Sequence, residues 1–329
     1  MLKVVSIGGF GHSVFVFDDM ATMTEAQLVG LAPAFEGEDI SFFAGHELCK
    51  DVKHYADYAK MIEEVRPDVA VVSTRLNLIP DVIIAAANAG CHIIAEKPLA
   101  LDKVNLEKVR QAVKDNNVRL TAMLSMRSEP EFIAARNVYE SGKIGEAVLV
   151  NGRKSYKYGT RPEWFGDKDK YGGTIGWVGI HAFDFINFVT NLGFGKVAAM
   201  QGNFSHPERP ACEDNCTIIA ELSNGGHCTV SVDLFRPQSA QTHGDDWIRV
   251  VGTKGIIEAS GSDNTCMVII DGEKPEPVEL PEKSKMFKDF LLSLGGDENA
   301  VTYQEESFML TDVCLRADDS AQNGTVVDC

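Results

Sequence analysis

The sequence predicts two domains. An α/β domain over 1–124 is built on a parallel sheet, and an α+β domain over 125–329 is built on a large, mostly antiparallel open sheet. Three observations carry that expectation. Residues 68–74 and 91–94 are apolar runs of strand length, with a helical stretch over 81–89 between them that stops at Gly90. A strand, helix and strand of that size form a βαβ unit, whose parallel strands need such a crossover. After about residue 124 the texture changes to short alternating segments punctuated by glycine turns, the pattern of antiparallel strands. The 329 residues, 44% of them hydrophobic, are enough for two cores.

Taken in order, Lys3 to Ile7 reads as a first strand running into Gly8-Gly9-Phe10-Gly11-His12-Ser13. Residues 27–32 give a second strand. Tyr55, Tyr58, Ile62 and Val65 share one helical face, and Pro67 closes that helix before the strand at Asp68. Asp102 caps a helix whose buried stripe is Leu106, Val109 and Val113, and 118–124 supplies the last strand of the first domain. Residues 131–141 form a helix stopped by Gly142. Strands follow from 146 to 158, at 217–222 and at 228–234 around an Asn224-Gly225-Gly226 turn, in a hairpin over 250–258, and at 267–270.

The net charge of −17 excludes a nucleic-acid or anionic-membrane surface, because neither is bound without a basic stripe. No apolar run approaches the ~20 residues that a spanning helix needs. Eight cysteines are scattered without CxxC pairs. Cys212 and Cys216 stand closest to a zinc pattern but lack companions, so the expectation is reduced thiols, no metal and a soluble cytoplasmic protein without an N-terminal targeting segment.

Three segments carry chemistry. A strand, a glycine turn and then a helix is the context in which a dinucleotide pyrophosphate meets a helix N-terminus. Here the second glycine position is Phe10 and the third is Ser13, and an ordinary tight turn would read the same way. The second strand ends in Ala32-Pro33, where a ribose-binding carboxylate usually stands; Glu36 follows in the loop. Glu96-Lys97-Pro98 places a carboxylate and a cation where a buried strand runs out at the ligand-facing rim of a parallel sheet. Within 171–184, glycines at 172, 173, 176 and 179 precede a helix that carries His181 and Asp184 on one face, and a histidine there would be open to a ligand. A packed core histidine and an exposed ion pair are the bland alternatives. His243-Gly244-Asp245-Asp246-Trp247 reads as a polar surface loop.

Together these segments resemble the Gfo/Idh/MocA family, the oxidoreductases typified by glucose–fructose oxidoreductase and inositol dehydrogenase. The residues that carry the resemblance are the glycine-rich turn, Glu96-Lys97-Pro98, and the Gly172-Gly173…Gly179-Ile180-His181-Ala182-Phe183-Asp184 segment. Pro67-Asp68-Val69, Ser141-Gly142-Lys143-Ile144-Gly145 and Leu315-Arg316-Ala317 extend it over nearly the whole chain. The family numbers Thr74 after a fourth strand and Glu96 after a fifth.

The resemblance implies a Rossmann-type dinucleotide-binding domain and an enzyme, a dehydrogenase that uses NAD or NADP to move hydride to or from a carbinol carbon of a sugar, cyclitol or related polyol. The cofactor would be held by Gly8, Gly9, Phe10, Gly11, His12, Ser13, Ala32, Ser73, Thr74, Arg75, Asn77, Glu96 and Lys97. Lys97 would contact the reacting hydroxyl, and His181 would be the acid/base. Read from the residues themselves, Tyr156, Tyr158, Arg161, Trp164 and Lys170, aromatic and cationic side chains ahead of the Gly172-Gly173 turn, are second-rank candidates for holding a polyhydroxylated or anionic substrate, with Trp177 beside them. Asp184 matches an aspartate of structural use. The second-domain sheet would pack against a second copy in a homodimer or homotetramer.

Two departures stand out. Trp177 occupies the position four residues before the histidine where the family often has aspartate, offering a stacking wall instead of a carboxylate partner. Arg75 replaces the proline of a Thr-Pro-Asn segment, and there pairs with an anion or lies solvated. Besides a dehydrogenase, the residues admit an NAD-dependent glycoside-cleaving enzyme with transient redox chemistry, or a non-catalytic regulator on the same fold.

Overall fold

A computed structural model describes residues 1–295 and 304–329 and divides the chain into two compact units. The first comprises Met1–Met123 and Lys285–Thr311; the second comprises Leu124–Ser284 and Asp312–Cys329. The sequence places 285–311 in the second domain; the described residues of that stretch, 285–295 and 304–311, belong instead to the first unit. The physical reason is the helix Met286–Leu294, whose Phe287 and Phe290 enter the first unit's core beside Phe17 and Met20. The Phe287 N–H also donates to Asp19 Oδ2 at 2.9 Å.

The first unit holds five parallel strands: β1 (Leu2–Ile7), β2 (Ala26–Ala32), β3 (Val69–Val72), β4 (His92–Ala95) and β5 (Leu120–Ala122). Their order is β2-β1-β3-β4-β5. β3 and β4 are buried along their inner residues because helices cover both faces of a parallel sheet, so they read as continuous apolar runs. Strand order reverses at β1, and a ligand of such a sheet sits beyond the carboxyl ends of β1 and β3. Helices are capped where the sequence expects it: Asp57 accepts from Ala59 and Lys60 N–H groups, and Asp102 accepts from Asn105.

The second unit is organised on nine strands in the order β13-β12-β11-β10-β6-β9-β8-β7-β14. These are β6 (Ala147–Tyr156), β7 (Phe194–Gly202), β8 (Asn215–Leu222), β9 (His227–Asp233), β10 (Gly244–Gly252), β11 (Gly255–Ser260), β12 (Thr265–Ile270), β13 (Glu276–Pro277) and β14 (Val327–Asp328). All neighbours are antiparallel except β6 and β9. The helices Pro130–Glu140 and Ile180–Thr190 pack together, and the second lies on β6. Every residue of Ile180–Thr190 is buried. An IHAFDFINFVT helix is apolar on all sides, so it is stable only as the enclosed centre of its unit. Burying its phenylalanines and isoleucines is worth about 1.5–3 kcal/mol per side chain.

Several sequence expectations need correction. Tyr55 precedes its helix, which begins at Tyr58; its N–H instead donates to Leu31 beside β2. The helix expected over 81–89 runs Ile79–Asn88, because Pro80 is tolerated in a first turn. Thr74 follows the third strand of this sheet and Glu96 the fourth, one fewer than the family numbering. Residues 243–247 are no surface loop: 244–247 open β10, which pairs with both β6 and β11. β7 and the long helix Gln304–Asn323 went unread.

Candidate active site

In the first unit, the glycine turn after β1 is shaped by two positive-φ glycines, Gly8 (+102°) and Gly11 (+115°). A side chain at Gly8 would strike the Ser73 carbonyl, and one at Gly11 would strike the Glu96 carboxylate and Ser73 Oγ. Both positions therefore need glycine for backbone freedom and for close approach. Phe10 N–H donates to the Ser73 carbonyl at 3.0 Å, and Ser73 Oγ donates to the Phe10 carbonyl at 2.7 Å. The turn is thus tied to the end of β3.

Glu96 and Lys97 follow β4 directly and are both buried, at 0% and 1% exposure. Glu96 Oε2 accepts from the His12 backbone N–H at 2.7 Å and lies 2.8 Å from His12 Nδ1. Its Oε1 accepts from the Lys97 N–H at 2.9 Å, with Lys97 Nζ 3.9 Å away. Burial pushes the carboxyl up, but His12, the Lys97 charge and these donors hold it below the ordinary carboxylate value. Glu96 is thus an anion at neutral pH. It fixes both the glycine turn and the lysine backbone.

A dinucleotide fits this rim on one further observation. The Ser13 hydroxyl, on the first residue of the helix Ser13–Met20, is buried with no partner among the described residues. A helix N-terminus with an orphaned hydroxyl suits a pyrophosphate oxygen. At the end of β2, Ala32 is buried and Glu36 is exposed. The carboxylate that does turn inward is Glu38, which sequence reasoning passed over: it accepts from the Ala34 N–H at 2.6 Å and from Thr74 Oγ at 2.5 Å. Arg75 donates to Asn77 Oδ1 at 2.9 Å and lies over the Phe35 ring at 4.8 Å, so it is not a loose solvated arginine.

In the second unit, His181 lies one residue into the buried helix and is only 2% exposed, where the sequence led one to expect an open histidine. Asp184 serves the fold: Arg127 Nε donates to its Oδ1 at 2.5 Å, and Asn187 holds the same guanidinium. Trp177, 6% exposed, meets Phe165 edge-on at 6.1 Å. Phe165 in turn stacks on Tyr171 at 4.1 Å, and Trp164 tilts against both rings. Lys170 pairs with Asp167 at the surface at 2.5 Å, away from this ring cluster's interior.

The residue most clearly missed is Lys154. It is wholly buried on β6, and its ammonium lies 2.7 Å from Asp246 Oδ1 on β10, the residue directly opposite in register. It also sits over the Tyr156 ring at 4.8 Å. Burial alone would lower its pKa, but Tyr156 and Asp246 raise it above the ordinary lysine value. It is a fixed cation and not a base. The signal was present in the alternation Val150, Gly152, Lys154, which puts a lysine on the buried face of a strand. Among the described residues no group of three or more His, Cys, Asp or Glu is placed to hold a metal, and no helix is long and apolar enough to cross a membrane.

Two family models match this chain: an oxidoreductase family with an NAD-binding Rossmann fold over residues 39–124, and a GFO/IDH/MocA C-terminal domain over 132–258. Among curated proteins, inositol 2-dehydrogenase of Salmonella typhimurium is 26% identical over 209 residues, covering 63% of this chain and 59% of the relative. Levoglucosan dehydrogenase of Pseudarthrobacter phenanthrenivorans is 31% identical over 177 residues, covering 52% and 44%. The chain thus aligns with about half of these relatives' length. A solved structure from Thermotoga maritima, provisionally assigned as an oxidoreductase, is 33% identical with a TM-score of 0.94 and 100% coverage of both chains. The motifs, the two-unit fold and these matches agree: the chain belongs to the Gfo/Idh/MocA oxidoreductase family.

Proposed function

We propose that this protein is an NAD(P)-dependent dehydrogenase acting on a carbinol carbon of a sugar, cyclitol or related polyol. The observation that carries the reading is the buried Glu96-Lys97 pair at the carboxyl end of β4, tied through His12 to the glycine turn after β1. When bound, the nicotinamide supplies the chemistry of accepting or returning a hydride. The chain's own residues then handle the oxygen. Lys97 sets an ammonium where alkoxide charge develops, which such preorganised charge stabilises strongly. His181 takes the hydroxyl proton in the oxidising direction and returns it in the other. Asp184 accepts from Arg127, and Trp177 meets Phe165 edge-on.

The cofactor is held by 8–13 and by Ser73, Thr74, Arg75, Asn77 and Glu96. The inward-turned Glu38 supports NAD over NADP, because it sets a negative charge beside Ala34 and Thr74 where a 2′-phosphate would be repelled. Self-association through the second unit's sheet is part of the same reading. Leu149, Ile219 and Met200 are exposed apolar residues on one face of β6, β8 and β7, and such a face invites a second copy. Seven of the eight free cysteines are buried, which supports a reducing, cytoplasmic setting.

Calorimetric titration with NAD, NADH, NADP and NADPH, followed by a polyol and sugar panel read by nicotinamide absorbance, tests the activity. Binding of at least one nucleotide and turnover of at least one polyol are expected. Binding of none removes the reading. Light scattering that shows only a monomer removes the assembly.

A further inference from the structure

Arg161 stands in the second unit without a carboxylate partner among the described residues. Its Nε and Nη2 are buried and have no hydrogen-bond partner among the described residues. The residue as a whole is only part-buried. Rings wall it: the guanidinium lies 5.7 Å from the Tyr158 ring centre and 5.6 Å from that of Phe165. Its charge is also felt by Tyr156, Tyr171, Cys212 and His243.

The neighbouring carboxylates are engaged elsewhere. Asp246 pairs with Lys154 at 2.7 Å, and Glu213 accepts from the Thr174 N–H at 3.0 Å with Lys168 3.5 Å away. Burial, Arg161, Lys157 and Lys154 act to keep the His243 imidazole neutral, and Asp246 opposes them.

Buried guanidinium nitrogens left unpaired are costly, since each forfeits its hydration without a return. Nε and Nη2 form the side-on edge of the fork, the edge that matches the two oxygens of a carboxylate. We propose that Arg161 is a carboxylate-binding residue and that the substrate is an acidic sugar, a uronate or aldonate, held by its carboxylate against the Tyr158 and Phe165 rings. This rests on the dehydrogenase reading for the reaction, but the anion site itself does not depend on it. Neutral polyols would lack the group that satisfies Arg161.

The test is calorimetry of D-glucuronate, D-galacturonate and D-gluconate against D-glucose, D-galactose and sorbitol. It is run on the wild type, Arg161→Gln and Arg161→Lys, each checked for an unchanged melting curve, with glucose 6-phosphate as a further arm. At least one acid should bind the wild type about 10- to 100-fold more tightly than its neutral twin, as expected for a charge-assisted pair. The gap should close in Arg161→Gln and survive in part in Arg161→Lys. No acid preference, a preference that persists in Arg161→Gln, or tight binding of the phosphate alone overturns the proposal. Turnover is read in parallel: Arg161-dependent acid binding with no hydride transfer on any compound would keep the anion site and remove the dehydrogenase reading.

Discussion

At the carboxyl end of β4, Glu96 is buried with its donors already in place: the His12 N–H and ring, the Lys97 N–H and the Lys97 charge. In the second unit, Arg161 has two buried nitrogens that no described residue satisfies. Both sites bury charge, but one is complete within the protein and the other is not. The first behaves as scaffold, holding a turn and a lysine in register for whichever nucleotide arrives. The second leaves a donor pair for a ligand to complete. Lys154 and Asp246 show that the second unit can also close a charge pair when the fold requires one, at 2.7 Å across adjacent strands. The open guanidinium is therefore informative.

The largest effect should come from the scaffold side. Lys97→Ala should lower kcat by about 10²–10³-fold or more, as removal of one oxyanion-stabilising group does elsewhere. Steady-state kinetics on a turned-over polyol check it, and an unchanged kcat would reduce Lys97 to a structural lysine. Next comes the closed pair of the second unit. Lys154→Met leaves Asp246 without its cation and should cost about 3–5 kcal/mol in urea unfolding, whereas Lys154→Met with Asp246→Leu should recover most of the loss. Equal losses in the single and double variants would mean that the ion pair was not the cause.

Gly11→Ala forces a side chain into Glu96 and Ser73 at a positive φ, and should cost about 1–3 kcal/mol together with nucleotide affinity. Thermal melts and calorimetry read the two losses separately. The charge on Glu96 has a pH signature. Its folded-state pKa lies below the ordinary value of 4.5, so its contribution is complete above that value and is lost as pH falls through the folded pKa. The stability difference between wild type and Glu96→Gln should be constant from neutral pH down to that region and shrink below it. A difference that shrinks near pH 7 would contradict that assignment. The smallest effect is at Phe35→Ala, which removes the ring beneath Arg75 and should cost about 0.5–1 kcal/mol.

Much of this was legible in the sequence, for reasons that can be named. The strands β3 and β4 were visible because parallel strands buried on both faces are continuous apolar runs. Asp102 was a readable cap because its side chain does satisfy the Asn105 N–H. Lys97 was legible because it follows such a strand directly. What stayed hidden depends on pairing between distant segments. Residues 243–247 carry His, Gly and two Asp, a loop-like composition, and only the register of 244–247 with β6 makes these part of a central strand. The helix Met286–Leu294 joins the first unit because Phe287 and Phe290 fit the core around Phe17, a contact no local pattern announces. His181 looked open because a helix start was foreseen near Gly179, but not that every residue of that helix would be enclosed. Glu38 was missed because its reach to Thr74 spans a loop whose course the sequence does not specify.

The most direct test of the central claim is hydride transfer itself. A polyol or sugar acid deuterated at its carbinol carbon is incubated with the protein and NAD or NADP, and the label is followed by NMR. The account predicts deuterium at the nicotinamide ring carbon with the wild type, and transfer slowed by about 10²–10³-fold in Lys97→Ala. Transfer at the same rate without Lys97, or no transfer to either nucleotide from any compound of the panel, would contradict it.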